Sequence, residues 1–261
     1  MSLAPDAGPD PRQRFSDRVG DYVRYRPGYP PAAMDWVARR AGLGAGSPVA
    51  DIGSGTGIFT GLLLAIGATV FAVEPNDAMR AAAEAALGDR PNFRSISGSA
   101  EETGLPAHSV GLVTCAQAFH WFDVPRTRLE FTRILRPGGW CALIWNSARI
   151  GASAFAQGYE AIKETYGIDF QQIRHEGRVR DERCDQLYGA GRWELHSFDS
   201  AQPLDLAGLK GRLRSSSYAP KEGHASHAPM MEALSRLFEA TQVEGKVTMS
   251  YSTNVYLGQL R

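Results

Sequence analysis

The strongest constraint in this chain is the stretch VADIGSGTGIFT, residues 49–60. It places Gly53, Gly55 and Gly57 at alternate positions between a short apolar run and a helix-like one. Glycine adopts positive φ angles without strain and lets backbone N–H groups approach a ligand closely. The stretch therefore predicts a strand, a ligand-binding turn and a helix; the alternative is that the glycines serve only a tight turn.

Strand-like and helical segments alternate between residues 47 and 146. The strand-like segments are SPVADIG, ATVFAVE, NFRSISG, VGLVTCAQ and WCALIWN, and the helical ones include IFTGLLLAIG, PNDAMRAAAEAALG and DVPRTRLEFTRILRPGG. This order predicts βαβ units, and so an α/β fold with a parallel sheet covered by helices on both faces. Farther along the chain, RWELHSFDS and GKVTMSYSTNVYLGQL predict two closing strands.

The composition argues against several classes of function. The chain has 261 residues, and its 28 Lys and Arg residues balance its 28 Asp and Glu residues. No net field draws it to nucleic acid or to an anionic membrane. Cys115, Cys141 and Cys184 form no CxxC or Cys/His cluster, so we expect no metal site and a reducing, cytoplasmic location. The apolar runs are also too short to span a bilayer.

Two acidic residues near the glycines narrow the chemical class of ligand that the turn can bind. Asp51 lies in an otherwise apolar strand, where it is expected to orient the turn or to bind an ammonium group. Glu74 ends the next strand, roughly twenty residues after the first glycine, where a carboxylate holds a ribose diol in nucleotide-binding folds. Ile58 stands where a dinucleotide motif has its third glycine. A ligand with a ribose but no phosphates is therefore the better candidate.

Several motifs in order resemble the class I S-adenosylmethionine (SAM)-dependent methyltransferases. VADIGSGTG looks like their first motif, VFAVEPNDAMR like the second-strand segment, and GSAEETGLPAHSVGLVTCAQAFHWFD like the third and fourth motifs. FSDRVGDYVRYRPGYP, AQAFHWFD and YSTNVYLGQL are similar to the methyltransferase type 11 and trans-aconitate methyltransferase-like small-molecule group. The resemblance implies a Rossmann-like three-layer αβα sandwich, with a seven-stranded, mostly parallel sheet whose last strand is antiparallel.

The resemblance also implies which residues bind SAM and its product S-adenosylhomocysteine. The glycine turn would lie beside the methionine moiety, and Glu74 would accept hydrogen bonds from the ribose. Ser99 stands where the family more often has Asp. The expected cofactor-binding residues are Asp51, Gly53, Ser54, Gly55, Glu74, Pro75, Met79, Ser99, Ala100, Glu101, Gln117 and Ala118.

The segment AFHWF is expected to meet the methyl acceptor. His120 is a candidate general base or substrate contact, and the alternative is that it packs structurally. A carboxylate acceptor needs no base but needs cations, for which Arg26, Arg212 and Arg214 are candidates. The expected substrate-binding residues are Tyr22, Arg26, Phe119, His120, Trp121 and Asn146.

The predicted organisation is a flexible tail at 1–14 and a single methyltransferase domain at 15–261. Its parts are an N-terminal helical lid at 15–45, a cofactor core at 47–146, an inserted helical segment at 147–190 and a C-terminal part at 191–261. The lid prediction competes with ordinary packing of that segment.

We expect a small-molecule acceptor methylated on oxygen, no nucleic-acid or membrane partner, and a monomer or homodimer. The alternatives are a nicotinamide-dependent oxidoreductase and a non-catalytic cofactor-binding or scaffold protein.

Overall fold

The computed structural model describes residues 19–168, 170 and 181–260. The predicted tail at 1–14, the first residues of the predicted lid and residues 171–180 of the predicted insertion lie outside the described residues.

Helices and strands alternate through the first half of the chain, as the sequence predicts. The strands are β1 (Pro48–Ile52), β2 (Thr69–Val73), β3 (Phe93–Ile96), β4 (Val110–Ala116), β5 (Leu135–Ala148), β6 (Trp193–Leu204) and β7 (Val247–Gln259). The α-helices are α1 (Val19–Tyr25), α2 (Pro31–Ala41), α3 (Ile58–Ala65), α4 (Asp77–Leu87), α5 (Val124–Ile134), α6 (Ala154–Tyr166), α7 (Asp181–Tyr188), α8 (Leu206–Arg214) and α9 (His227–Thr241).

The described strands form one seven-stranded sheet in the order β3-β2-β1-β4-β5-β7-β6. β1 pairs in parallel with both β2 and β4, whereas β7 is antiparallel to both of its neighbours. The predicted fold class is therefore confirmed, including the antiparallel last strand. The strand order reverses direction between β1 and β4, and in open α/β sheets ligands bind at such a point, outside the carboxyl ends of the strands.

β1 is buried on both faces, which explains its nearly continuous apolar sequence. Val49 joins the core formed by α2 and α3, while Ala50 and Ile52 face the core of α5 and α7. A third apolar cluster joins α6, α8 and α9 to the first residues of β7. The sheet is thus covered on both faces, and the third cluster adds a wall beside its edge.

The end of α5 differs from the prediction. The sequence pattern extends the helix through residue 139, but α5 ends at Ile134 and β5 already begins at Leu135. Pro137 explains the difference, since proline lacks the N–H that a helix interior requires. The predicted start is confirmed: the Asp123 carboxylate accepts a hydrogen bond from the Arg126 N–H at 3.2 Å.

The N-terminal segment has two helices with different surroundings. α2 buries Ala33, Met34 and Val37 in the sheet-facing core, so it is one of the covering helices. α1 buries none of its residues fully and packs mainly beside α8. Across the described residues, no helix is long and apolar enough to cross a membrane.

Candidate functional site

The glycine turn after β1 is held tightly against β2 and β4. Gly53, Gly55 and Gly57 all have positive φ, at 67°, 57° and 84°. A Cβ atom on Gly53 would lie 2.5 Å from the Ala118 Cβ, and one on Gly57 would lie 2.6 Å from Leu87 Cδ1. A Cβ on Gly55 would meet open space. Tight packing therefore explains two of the glycines, while the backbone of Gly55 faces a cavity.

Glu74 joins this turn to the start of α4. Its Oε2 accepts a hydrogen bond from the Gly55 N–H at 2.9 Å, and its Oε1 accepts one from the Asn76 N–H at 2.8 Å. Burial raises the pKa of Glu74, and the two backbone hydrogen bonds only partly oppose that effect. Each carboxylate oxygen has a second lone pair, so Glu74 can still accept hydrogen bonds from a ligand.

Asp51 has a different role from Glu74. It is 1% exposed, and its two oxygens accept hydrogen bonds from Thr60 Oγ1 at 2.6 Å and Thr114 Oγ1 at 2.8 Å. Burial raises the pKa of Asp51 to about 6, against the opposing effect of the two threonines. The carboxylate ties α3 and β4 to β1 and lines only a small cavity of about 50 Å³ beside the turn.

A main cavity of about 690 Å³ opens at the carboxyl ends of the strands. This volume is in the range of small-molecule sites. Two predicted cofactor-binding residues, Asp51 and Ser54, line the small cavity and not the main one. Most predicted site residues line the main cavity, namely Tyr22, Arg26, Gly53, Gly55, Glu74, Pro75, Met79, Ser99, Ala100, Glu101, Gln117, Ala118, His120, Trp121 and Asn146.

The end of β4 carries a strained residue on the cavity wall. Gln117 has a φ of 60°, a left-handed conformation that is uncommon outside glycine. Its N–H donates to the Ile144 carbonyl at 3.0 Å, and its Nε2 donates to the Asn146 carbonyl at 3.1 Å. These bonds fix the backbone of β4 at the place where it meets the glycine turn.

Asn146 uses its side chain to connect three segments. Its Oδ1 accepts a hydrogen bond from Thr253 Oγ1 at 2.6 Å, and its Nδ2 donates to the Gly28 carbonyl at 3.1 Å. The side chain thus ties β5 to β7 and to the segment that follows α1. Asn146 lines the cavity as predicted from sequence, but its side-chain atoms are engaged within the protein.

Comparison with known proteins identifies the family that part of the chain matches. Residues 50–143 match the family described as "Methyltransferase domain". An uncharacterized methyltransferase of Mycobacterium tuberculosis is 43% identical over 133 residues, which are 51% of this chain and 52% of that protein. Residues 50–143 therefore match a methyltransferase domain, and the whole fold is that of class I methyltransferases. The chain spans about half the length of these curated mycobacterial relatives.

Solved structures share the fold of this methyltransferase domain. A candidate type II methyltransferase from Anaeromyxobacter dehalogenans aligns with a TM-score of 0.65 and 23% identity, over 90% of this chain and 98% of that one. A phosphoethanolamine N-methyltransferase from Haemonchus contortus aligns with a TM-score of 0.56 and 14% identity, over 94% of this chain and 57% of that one. The similarity supports the architecture of the sheet and its flanking helices.

The methyltransferase domain has an aromatic wall after β4. The His120 ring centroid lies 4.3 Å from that of Trp121 and 5.1 Å from that of Trp145, which it meets edge to face. Phe119 departs from the prediction: it is 1% exposed, lies in the core under the sheet, and does not line the cavity. The residue turns inward because the short 3₁₀-helix Phe119–Trp121 places successive side chains in different directions.

The predicted adenine-side residues form a loop after β3. Ser99 Oγ accepts a hydrogen bond from the Glu101 N–H at 3.3 Å, and Glu101 Oε1 accepts one from the Asp123 N–H at 3.0 Å. The loop is therefore anchored to the start of α5. Ser99, at the position where the family more often has Asp, lines the cavity.

Sequence reasoning missed the far wall of the cavity. Glu160 and Lys163 on α6 form a buried ion pair there, and Ser216 and Tyr218 follow α8. The only sequence signal was the i, i+3 spacing of opposite charges in YEAIK. Arg212 lines the cavity, whereas the Arg214 Nε lies 3.0 Å from Asp21 Oδ2 in an ion pair. The described part of the chain contains no group of His, Cys, Asp and Glu residues suited to a metal ion.

Proposed function

We propose that this protein transfers a methyl group from SAM to an oxygen atom of a small-molecule acceptor. The observation that carries the proposal is Glu74, a buried carboxylate that ends β2, contacts the glycine turn and keeps free lone pairs on the main cavity. The structurally similar Haemonchus enzyme was solved with S-adenosylhomocysteine bound, which supports the same cofactor here.

The residues present fit SAM. Glu74 would accept hydrogen bonds from the ribose hydroxyls, and the backbone of Gly53 and Gly55 would pass the methionine portion. Met79 and Ala100, both buried on the cavity wall, provide apolar surface for the adenosine. When bound, SAM supplies a methyl group on a positively charged sulfur that leaves as a neutral thioether.

The chain's own contribution to this reaction is alignment and exclusion of water. Methyl transfer is an in-line displacement, so its rate depends on holding the acceptor atom opposite the leaving sulfur. His120, Trp121 and Trp145 form a packed aromatic wall, which lowers the water content of that part of the cavity. A carboxylate acceptor would need no base, whereas a hydroxyl acceptor would require one, and His120 on the cavity wall is then the candidate.

A methyl-transfer assay tests this proposal. Purified protein is incubated with SAM labelled in its methyl group and with separate panels of carboxylic acids, phenols and amines. We expect label in an oxygen-methylated product, and a methyl ester would be recognised because mild base releases methanol from it. Transfer only to amines would contradict the oxygen assignment. Tight binding of S-adenosylhomocysteine without transfer to any panel would favour the non-catalytic alternative.

A further inference from the structure

Two arginine side chains share the end of the cavity next to the glycine turn. Arg26, just after α1, and Arg212, on α8, both line the main cavity and the small one. Burial, followed by the positive charge of Arg212, lowers the pKa of Arg26. Neither guanidinium forms an ion pair with a carboxylate of residues 19–168, 170 and 181–260.

Both guanidiniums keep unused hydrogen-bond donors. Arg26 Nη2 donates to the Ser215 carbonyl at 2.8 Å, and its guanidinium carbon lies 4.7 Å from the centre of the Tyr22 ring. Arg212 is 9% exposed and donates from Nη1 to Ser216 Oγ at 3.2 Å. The Nε atoms of both arginines are buried with no acceptor among the described residues. Leaving charged donors buried and unsatisfied is costly, so a ligand acceptor is expected at this place.

The carboxylates nearby are already engaged. Glu160 pairs with Lys163 on α6, and Asp21 pairs with Arg214 on the outer side of α8. Asp51, on the small cavity, accepts hydrogen bonds from two threonine hydroxyls. None of these carboxylates is therefore paired with Arg26 or Arg212, whose remaining donors stay available to an acceptor from a ligand.

SAM brings no net negative charge to this end of the site. It carries one carboxylate against an ammonium group and a sulfonium group, so its net charge is positive. Binding it adds to the positive charge of the pocket, even if its carboxylate contacts one of the two guanidiniums. The positive charge of the sulfonium favours an anionic second substrate, whose oxyanion can accept from the guanidinium donors that SAM leaves unpaired.

We infer that Arg26 and Arg212 together bind an oxyanion, a carboxylate or phosphate group, carried by the methyl acceptor. This inference rests on the proposed methyltransferase function and narrows its substrate class to small organic acids or phosphate esters. Guanidinium groups match the geometry of such oxyanions through paired hydrogen bonds. Arg214, although close in sequence, is excluded from the site by its ion pair with Asp21.

Isothermal titration calorimetry with simple anions tests the site directly. Protein saturated with S-adenosylhomocysteine is titrated with malonate, with inorganic phosphate and with neutral malonamide at constant ionic strength. We expect saturable binding of at least one anion and none of malonamide, a comparison that needs no variant. Preference for malonate or for phosphate then separates the two oxyanion classes. Absence of saturable binding by both anions would overturn the inference.

Variants on α8 locate the binding. Arg212→Gln should weaken binding of the anion by about tenfold to a hundredfold, as expected for loss of a charged hydrogen-bond donor. Arg212→Lys keeps the charge but loses the paired donors, so its affinity for the anion should lie between those of the wild type and Arg212→Gln. Arg214→Gln is the matched control and should leave the affinity within about twofold of the wild type. Equal anion affinity in wild type and Arg212→Gln would overturn the inference.

A second titration separates the acceptor from the cofactor as the source of the oxyanion. S-adenosylhomocysteine has an amino-acid carboxylate, whereas 5′-methylthioadenosine lacks it. We expect Arg212→Gln to leave the affinity for both within about twofold. Selective weakening of S-adenosylhomocysteine would show that Arg212 holds the cofactor's carboxylate and would overturn the acceptor assignment. Wild-type protein that binds no S-adenosylhomocysteine would refute the proposed function itself, whereas cofactor binding without anion binding refutes only this inference.

Discussion

At the residue scale, two buried carboxylates near the glycine turn do different things. The sequence predicted both Asp51 and Glu74 as cofactor contacts. Asp51 lies just before the glycines, and Glu74 ends the next strand, where a ribose-binding carboxylate is expected. The sequence could not distinguish them, since the partners of Asp51, Thr60 and Thr114, come from a helix and from another strand. Only Glu74 lines the main cavity. The position of Glu74 at the end of β2 was predictable from the order of residues along the chain, but its hydrogen bonds were not.

Replacing Glu74 by Ala should weaken binding of S-adenosylhomocysteine by about 1.5 to 3 kcal/mol, because a charged acceptor for the ribose hydroxyls is lost. The matched control is Asp77→Ala, which removes an exposed carboxylate at the start of α4. Calorimetric titration of both variants measures the difference. Equal affinity in wild type and Glu74→Ala would show that the ribose assignment is wrong.

Asp51 should make stability depend on pH. Burial raises its pKa from the ordinary 3.8 to about 6 in the folded protein, so the unfolded chain releases this proton first as the pH rises. The free energy of unfolding should therefore fall between about pH 4 and about pH 6, by on the order of 3 kcal/mol relative to Asp51→Asn. Urea unfolding of both proteins across this range measures it. Parallel pH profiles for the two proteins would show that the pKa of Asp51 is not raised in the folded protein.

At the element scale, the turn between β1 and α3 is the joint on which the site depends. The order of strands and helices was predictable because hydrophobic periodicity and glycine stops are local signals. The end of α5 was not, because β5 begins at Leu135 without an intervening loop. The inward direction of Phe119 was also hidden, since it depends on the 3₁₀ turn after β4.

Gly53→Ala and Gly55→Ala form a matched pair that tests this joint. Both residues have positive φ, but only a Cβ on Gly53 collides with Ala118. We expect Gly55→Ala to lower the free energy of unfolding by about 1 to 2 kcal/mol through backbone strain alone. Gly53→Ala should lower it by about 2 to 5 kcal/mol, because overpacking adds to that strain. Chemical denaturation measures both, and equal losses would contradict the packing of β1 against the end of β4.

At the scale of the whole molecule, the cavity is closed by segments far apart in sequence. Tyr22 and Arg26 come from the N-terminal segment, while Arg212 and Tyr218 come from the C-terminal part. The sequence identified candidates in each segment but could not show which would meet. Long-range pairings of this kind leave no periodic signal, so Glu160, Lys163 and Tyr218 were missed while Arg212 and Arg214 could not be told apart.

The contact between α1 and α8 should control how the N-terminal segment is held. A Cβ on Gly211 would lie 2.1 Å from the Tyr25 ring, so Gly211→Ala should displace that ring. We expect a loss of about 1 to 3 kcal/mol in stability and faster limited proteolysis near α1. Gly28→Ala, in the same segment but with open space around its Cβ, is the control. Unchanged proteolysis in Gly211→Ala would show that α1 is not held by this contact.

The most direct test of the account is titration of the wild-type protein with S-adenosylhomocysteine and, separately, with NADH. The glycine turn, the carboxylate of Glu74 and the absence of a third glycine at Ile58 all favour a ribose-bearing ligand without a pyrophosphate. We predict saturable, equimolar binding of S-adenosylhomocysteine and no binding of NADH. No detectable binding of S-adenosylhomocysteine, or NADH binding at the same site, would contradict the proposed methyltransferase function.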